Sequence, residues 1–348
     1  NATDTTGGAI LIRSCDNFSI YDNTFTDNFS SASGGAISVS FSTGDIYENE
    51  FTSNTCETGG GGIYAYSCDI KCYNNIFTSN MANLSFSRGG AIALNYTYGD
   101  FPYWVIQNNI FKLNQAGLGG AVSVASNSAY VYNNLFYDNL AANSGGGIQV
   151  EYDYDPYIYN NIFLGNTPDG MSSSASVMSH YDNNNYYDNG PDTNGCINCP
   201  SAPNIFYYHP RIADVGGGDY HLTDESELIN RGRFGLPEQL NFDYENQDRR
   251  LAGGTDIGPD EYADCSMSGN FSAIDDTSGC PPLRVEFSAL NLQGYYDSLR
   301  WEFGDGREAF NVLNPPNTYQ DTGTYTVKLH MVTPCTTVVI TRENYVHV

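Results

Sequence analysis

The 348-residue chain predicts an all-β protein, a parallel β-helix solenoid followed by a separate β-sandwich. Two repeats running in phase and one change of texture predict it. The first repeat is Asn74-Asn75-Ile76-Phe77-Thr78-Ser79-Asn80, which returns at 22–28, 48–54, 108–114, 133–139, 160–166 and, more weakly, 183–189. Its aromatic falls at Phe25, Phe51, Phe77, Phe111, Phe136, Phe163 and Tyr186, in steps of 26, 26, 34, 25, 27 and 23 residues. The second is a glycine pair and then an aliphatic residue, at Ile10, Ile37, Ile63, Ile92, Val122 and Ile148. Two markers with one period of this size define a stack of supersecondary units. From residue 264 the repeat is gone and several short strand-like segments follow, divided by turn formers.

Within a repeat, Gly34-Gly35-Ala36-Ile37-Ser38-Val39-Ser40 alternates apolar and small polar residues, the period of a strand. Tyr130-Val131-Tyr132-Asn133-Asn134-Leu135-Phe136 is a second strand, aromatic and β-branched. Ser, Asn, Gly and Asp lie between them as turn formers. No window shows a helical period, and a propeller blade needs about 40 residues. A repeat of about 26 residues fits one rung of a right-handed parallel β-helix with two or three short strands. Rungs then pair about 4.8 Å apart. The recurring Phe becomes an internal stack and the recurring Asn a ladder of amides. About seven rungs fill residues 1–190.

Charge sets limits on partners. Forty acidic residues against 14 basic give a net charge of −26, which excludes nucleic acid, whose binding needs a basic patch. No apolar run is long enough to span a bilayer, so membrane insertion is not expected. An acidic, Tyr- and Asn-rich, Lys-poor sequence with nine cysteines reads as extracellular or cell-surface. The odd count leaves at least one cysteine without a partner in the chain. The first residues lack a signal-peptide pattern, which reads as a processed or trimmed chain.

Residues 1–204 are assigned to rungs, 205–263 to the closing segment of the β-helix and 264–348 to the sandwich. Two rungs carry excursions that read as ligand edges, because insertions in repeats become loops on one face. Residues 95–103 bring Tyr96, Tyr98 and Tyr103; the next, 151–157, brings Glu151, Tyr152, Asp153, Tyr154 and Asp155. Cys196-Ile197-Asn198-Cys199 is too small a set for zinc, which takes four ligands. Residues 205–262 hold Asp219-Tyr220-His221-Leu222, Leu228-Ile229-Asn230-Arg231-Gly232 and Asp256-Ile257-Gly258-Pro259-Asp260-Glu261-Tyr262. With the rungs before it, this series resembles bacterial surface proteins described as choice-of-anchor parallel β-helix proteins. The resemblance implies extracellular display. Physically, the tail is expected to cover the last rung, as capping repeats do.

In the last module, Trp301-Glu302-Phe303-Gly304-Asp305-Gly306, Tyr319 and Gly323-Thr324-Tyr325-Thr326-Val327 resemble a PKD domain. The resemblance implies an immunoglobulin-like β-sandwich of extracellular proteins and no catalytic residue. Trp301 is the expected core residue, and a Cys280–Cys335 disulfide would staple the sandwich.

Two function classes follow. The enzyme class is a polysaccharide-binding or polysaccharide-degrading β-helix. A lyase needs a base and a cation, yet Arg13, Lys71, Arg88, Lys112 and His180 fall on different rungs. A glycosidase needs two carboxylates about 5–10 Å apart, which Glu151, Asp153 and Asp155 could supply; the same acids could hold Ca²⁺. The second class, which the sequence favours, is a structural or adhesive surface protein. Its partners would be other copies, another surface protein or a polysaccharide. Ile10, Ile12 and Phe25, in a first rung with only six residues before Gly7, are expected to face water. Either upstream rungs have been cut away, or another subunit's surface sits there, in a head-to-tail contact that would build a filament.

Overall fold

The computed structural model describes residues 6–95, 104–125, 129–152, 156–174, 180–190, 205–249, 254–262, 267–294, 296–333 and 336–348, and the backbone of 2–3 and 196–197. The chain divides into two compact units, Asn1–Tyr262 and Ala263–Val348. The first is a right-handed parallel β-solenoid of about six turns.

One coil shows why the chain winds as it does. Ile63–Tyr66, Asp69–Tyr73, Ile76–Thr78 and Met81–Ala82 are its strands. Between strands the backbone enters the left-handed region at Gly60, Ser67, Asn74 and Ser79 (φ 68°, 51°, 54° and 56°). Gly, Asn and short polar residues accept that conformation at least cost, so four such positions give four corners. The coil therefore has four strands rather than the two or three expected. The second glycine of each pair answers a different need: a Cβ on Gly35 would lie 2.1 Å from the Gly61 carbonyl oxygen of the next coil.

Equivalent strands form four parallel sheets. The isoleucine sheet has eight strands, the tyrosine and phenylalanine sheets seven each, and a short sheet six. Registers run residue for residue, as in Phe51–Phe77–Phe111. The seven aromatics from Phe25 to Tyr186 consequently stack face to face, with centroids 4.6–5.0 Å apart. They fill the interior with the aliphatic column Ile37, Ile63, Ile92, Val122 and Ile148. Two amide ladders flank the stack, one through Asn49, Asn75 and Asn109, the other through Asn54, Asn80 and Asn114. Each side-chain amide donates to the next coil's Oδ1 at 2.9–3.0 Å. Cys56, Cys68 and Cys72 are buried free thiols; burial pushes the Cys56 thiol up to about 12. They act as small packing residues.

At the first coil, Phe25 is 7% exposed and Ile10 and Ile12 are half-buried against the core. Phe25 does not face water as expected, because the Phe51 ring stacks on it, whereas Ile10 and Ile12, in register with Ile37 and Val39, stay partly exposed.

The closing segment departs most from expectation. Ile205 and Phe206 do extend the last coil, through a Phe206–Asn185 bridge. The described remainder, 207–249 and 254–262, the flank, lies along the outer wall instead of over the end. The reason is the residue before each stacked aromatic, which points outward. It is Thr24 and Glu50 in the first two coils but Ile76, Ile110, Leu135 and Ile162 in the next four. That apolar stripe is covered by Tyr220, Leu222, Leu228 and Ile257. Each fully buried aliphatic side chain there contributes about 1.5–3 kcal/mol.

The second unit packs a three-stranded sheet and a four-stranded sheet around Trp301, which is fully buried and donates to the Val312 carbonyl at 2.8 Å. Cys280 is an exposed free thiol, and Cys335 lies outside the described residues.

Phe77→Ala is expected to cost about 3–5 kcal/mol, since the coils on both sides hold the cavity open, while outward Thr78→Ala costs little. Urea unfolding of the two variants checks this; equal midpoints would contradict the inward register.

Candidate functional site

Of the residues singled out as ligand edges, Tyr96, Tyr98, Tyr103, Asp153, Tyr154 and Asp155 lie outside the described residues. Tyr152 is exposed. Glu151 is not an open acid: it is 5% exposed and receives the Arg88 Nε–H at 2.6 and 2.7 Å. The Ser123 hydroxyl donates to the same carboxylate. The Arg88 side chain is 40% exposed, so the pair is half-buried, and it makes Glu151 a cross-brace between coils. Among the described residues, no three His, Cys, Asp or Glu side chains group closely enough to hold a metal ion.

The charged centre that sequence reasoning missed lies in the flank. Arg249 is 0% exposed and donates to Asn108 Oδ1 (2.7 Å) and to the carbonyl oxygens of Pro259 (2.6 Å) and Phe242 (3.3 Å). Its other amino nitrogen lies 3.6 Å from Glu261. Asp243, Asp256 and Asp260 close the cluster by accepting backbone N–H groups from Gln247, Asn230 and Leu222. One guanidinium cannot balance four buried carboxylates. Burial lifts Asp256 and Asp260 to about 6, and burial with repulsion from Asp256 lifts Glu261 to about 9. Asp256, Asp260 and Glu261 belong to the closing series of the sequence, so their role is to lock the flank to the wall.

Where the flank stops, no described residue covers the outer wall. Tyr21, Tyr47 and Tyr73 stack on the outside of the tyrosine sheet at 5.1 and 5.0 Å, and Tyr21 is 50% exposed. Asp22 and Glu48 occupy the next corner in the first two coils. Beside them a groove of about 270 Å³ runs over Ser19, Asp45, Asp69, Lys71 and Val105 to Glu238 of the flank, where Lys71 and Glu238 pair at 3.6 Å. Further along, the Phe242 ring meets Tyr73 edge-on at 5.8 Å. This face can offer hydroxyls, ring edges and carboxylates to a ligand. Its signal in the sequence is the tyrosine before the heptapeptide, Tyr21, Tyr47 and Tyr73, which keeps the period of the stack.

Residues 35–207 match the family model described as the right handed beta helix region, and residues 270–348 that of the PKD domain. Residues 24–40 match the Chlamydia polymorphic membrane protein repeat. The chain is a right-handed parallel β-helix protein that carries a C-terminal PKD domain. Taken together, the three similarities suggest a surface-exposed protein. No curated protein and no solved structure matches it.

The buried carboxyls give stability a pH dependence. Their folded values lie above the ordinary 3.8 and 4.5, so the fold holds more protons than the unfolded chain and loses stability as pH rises through about 6 and about 9. His221 acts in the same sense. Burial pulls it down, but its bonds to Asp219 and Glu245 lift it to about 9, so their contribution is full below 6.5 and lost through 9. Calorimetry should show the solenoid melting higher at about pH 5 than at about pH 9, with Glu261→Gln flattening the dependence. Equal or reversed melting temperatures would contradict it.

Proposed function

We propose that the protein is a non-catalytic, cell-surface or extracellular adhesive protein, and that the wall ahead of the flank, over the first two coils and the near edge of the third, is its ligand face. One observation carries this reading. Where the flank covers the wall, outward residues are buried: the aliphatic stripe under Leu222 and Ile257, Asn108 and Asn133 in bonds to flank carbonyls, and Tyr132 and Tyr159 against Leu236. Before it, the same columns hold stacked tyrosines and acids left to solvent beside a groove. Exposed aromatic and polar groups aligned on a rigid sheet suit recognition, since little side-chain freedom is lost on binding.

The PKD similarity supports an extracellular setting, and the locked Glu151 carboxylate weakens the glycosidase alternative. The full chain applied to arrays of extracellular proteins and of polysaccharides is expected to hold at least one ligand. Tyr21→Ser combined with Asp45→Asn should weaken it about tenfold or more with the melting temperature unchanged. A ligand held equally well by that double variant would place the face elsewhere and overturn the reading.

A further inference from the structure

The flank is fastened to the wall through one column of corner asparagines, each held in the left-handed region. Asn183 donates to the Arg231 carbonyl at 2.8 Å. Asn160 grips Arg233 both ways, donating to its carbonyl and accepting its amide, each at 2.8 Å. Asn133 donates to the carbonyls of Asp256 and Gly258, and Asn108 to that of Phe242. Beside it, Gln107 accepts the Leu240 amide at 2.8 Å and donates to its carbonyl at 3.2 Å. The wall thus reads peptide groups with side-chain amides, coil after coil.

Asn74 is the next member of the column, with the same backbone conformation (φ 54°). It is 5% exposed, and neither its Nδ2 nor its Oδ1 has a hydrogen-bond partner among the described residues. Such buried amides are rare in folded chains and call for an explanation. With Glu48, Glu50, Ile76 and Tyr244 it lines a cavity of about 260 Å³. Tyr244 is where the flank leaves the column: Asp243 bonds to Gln247 at 2.9 Å, and Asn246 reverses the chain (φ 67°). Beyond Asn74, the column continues with Glu48 and Asp22.

We propose that Asn74 is a docking amide for an extended peptide segment of a partner polypeptide, and that Glu48 and Glu50 select a segment carrying lysine or arginine. The segment continues along the wall the course that the flank follows as far as Tyr244. An asparagine amide presents one donor and one acceptor side, the complement of a peptide group, and its neighbours in the column are spent on peptide groups. Two carboxylates in the same cavity add a charge preference that a neutral saccharide would not satisfy, and the Lys71–Glu238 pair shows wall and flank already joined in that way. The proposal rests on the wall being the ligand face and adds the chemistry of what it holds.

The test uses the full chain, fluorescence anisotropy and three labelled probes: a (Ser-Lys)4 octapeptide, its (Ser-Glu)4 counterpart and maltohexaose. The lysine peptide is expected to bind and the other two are not. Asn74→Gly, which keeps the left-handed corner, and Glu48→Gln with Glu50→Gln should each weaken binding about tenfold or more. Glu57→Gln, an exposed acid outside the column, should leave it unchanged. Asn74→Gly should melt no lower than the parent, whereas Asn108→Gly, which loses bonds to Phe242 and Arg249, should melt lower. Binding indifferent to Asn74→Gly, equal sensitivity to Glu57→Gln, or a melting loss in Asn74→Gly matching that of Asn108→Gly would overturn the proposal. So would maltohexaose binding that depends on Asn74, which would make this a sugar site. If no probe binds while an array ligand depends on Tyr21 and Asp45, the peptide site falls and the binding wall stands. If the arrays also fail, both fall.

Discussion

The structure depends on the backbone hydrogen bond between coils. It fixes the spacing of parallel strands at about 4.8 Å, close to the separation that aromatic rings and side-chain amides adopt when they stack or bond in rows. Once one coil places a phenylalanine inward and an asparagine at the corner, the next coil gains most by placing the same residue above it. The rings from Phe25 to Tyr186 and the two asparagine ladders are the result. The same spacing works outward, where it lines up Tyr21, Tyr47 and Tyr73.

A wall built in this way has columns, and a column of one chemistry is a template. The flank uses two of them. The aliphatic stripe from Ile76 to Ile162 supplies burial, and the corner asparagines satisfy the flank's peptide groups, which could not otherwise be taken out of water at so little cost. Between the two sits Arg249 with its four carboxylates, a cluster held together by backbone N–H groups more than by ion pairing. Charge is thus buried where the flank needs to be unique in position, and left in solvent where the wall is open.

Among the described residues, the absence of a cover over the first coils has the same origin as the cover over the later ones. Thr24 and Glu50 offer no apolar stripe, and Asp22 and Glu48 offer no amides. An acidic flank would be repelled there, while a basic partner would be drawn in. The open wall and the covered wall are two chemistries written on one scaffold.

The sequence by itself determined the solenoid, because contacts between coils recur at nearly constant separation and leave a period that can be counted. It also determined the second module, whose Trp301 and Tyr319 sit in the core. Four strands per coil were less legible, since a corner needs only one residue in an unusual backbone conformation and several residue types can supply it. Tertiary structure alone decided the rest. Arg88 reaches Glu151 across 63 residues and Arg249 reaches Asn108 across 141, pairings without any period to announce them. The switch from Thr24 and Glu50 to Ile76 and Ile110 was visible in the chain. Its meaning was not, because an outward apolar residue reads as inward until the register of the sheet assigns its face.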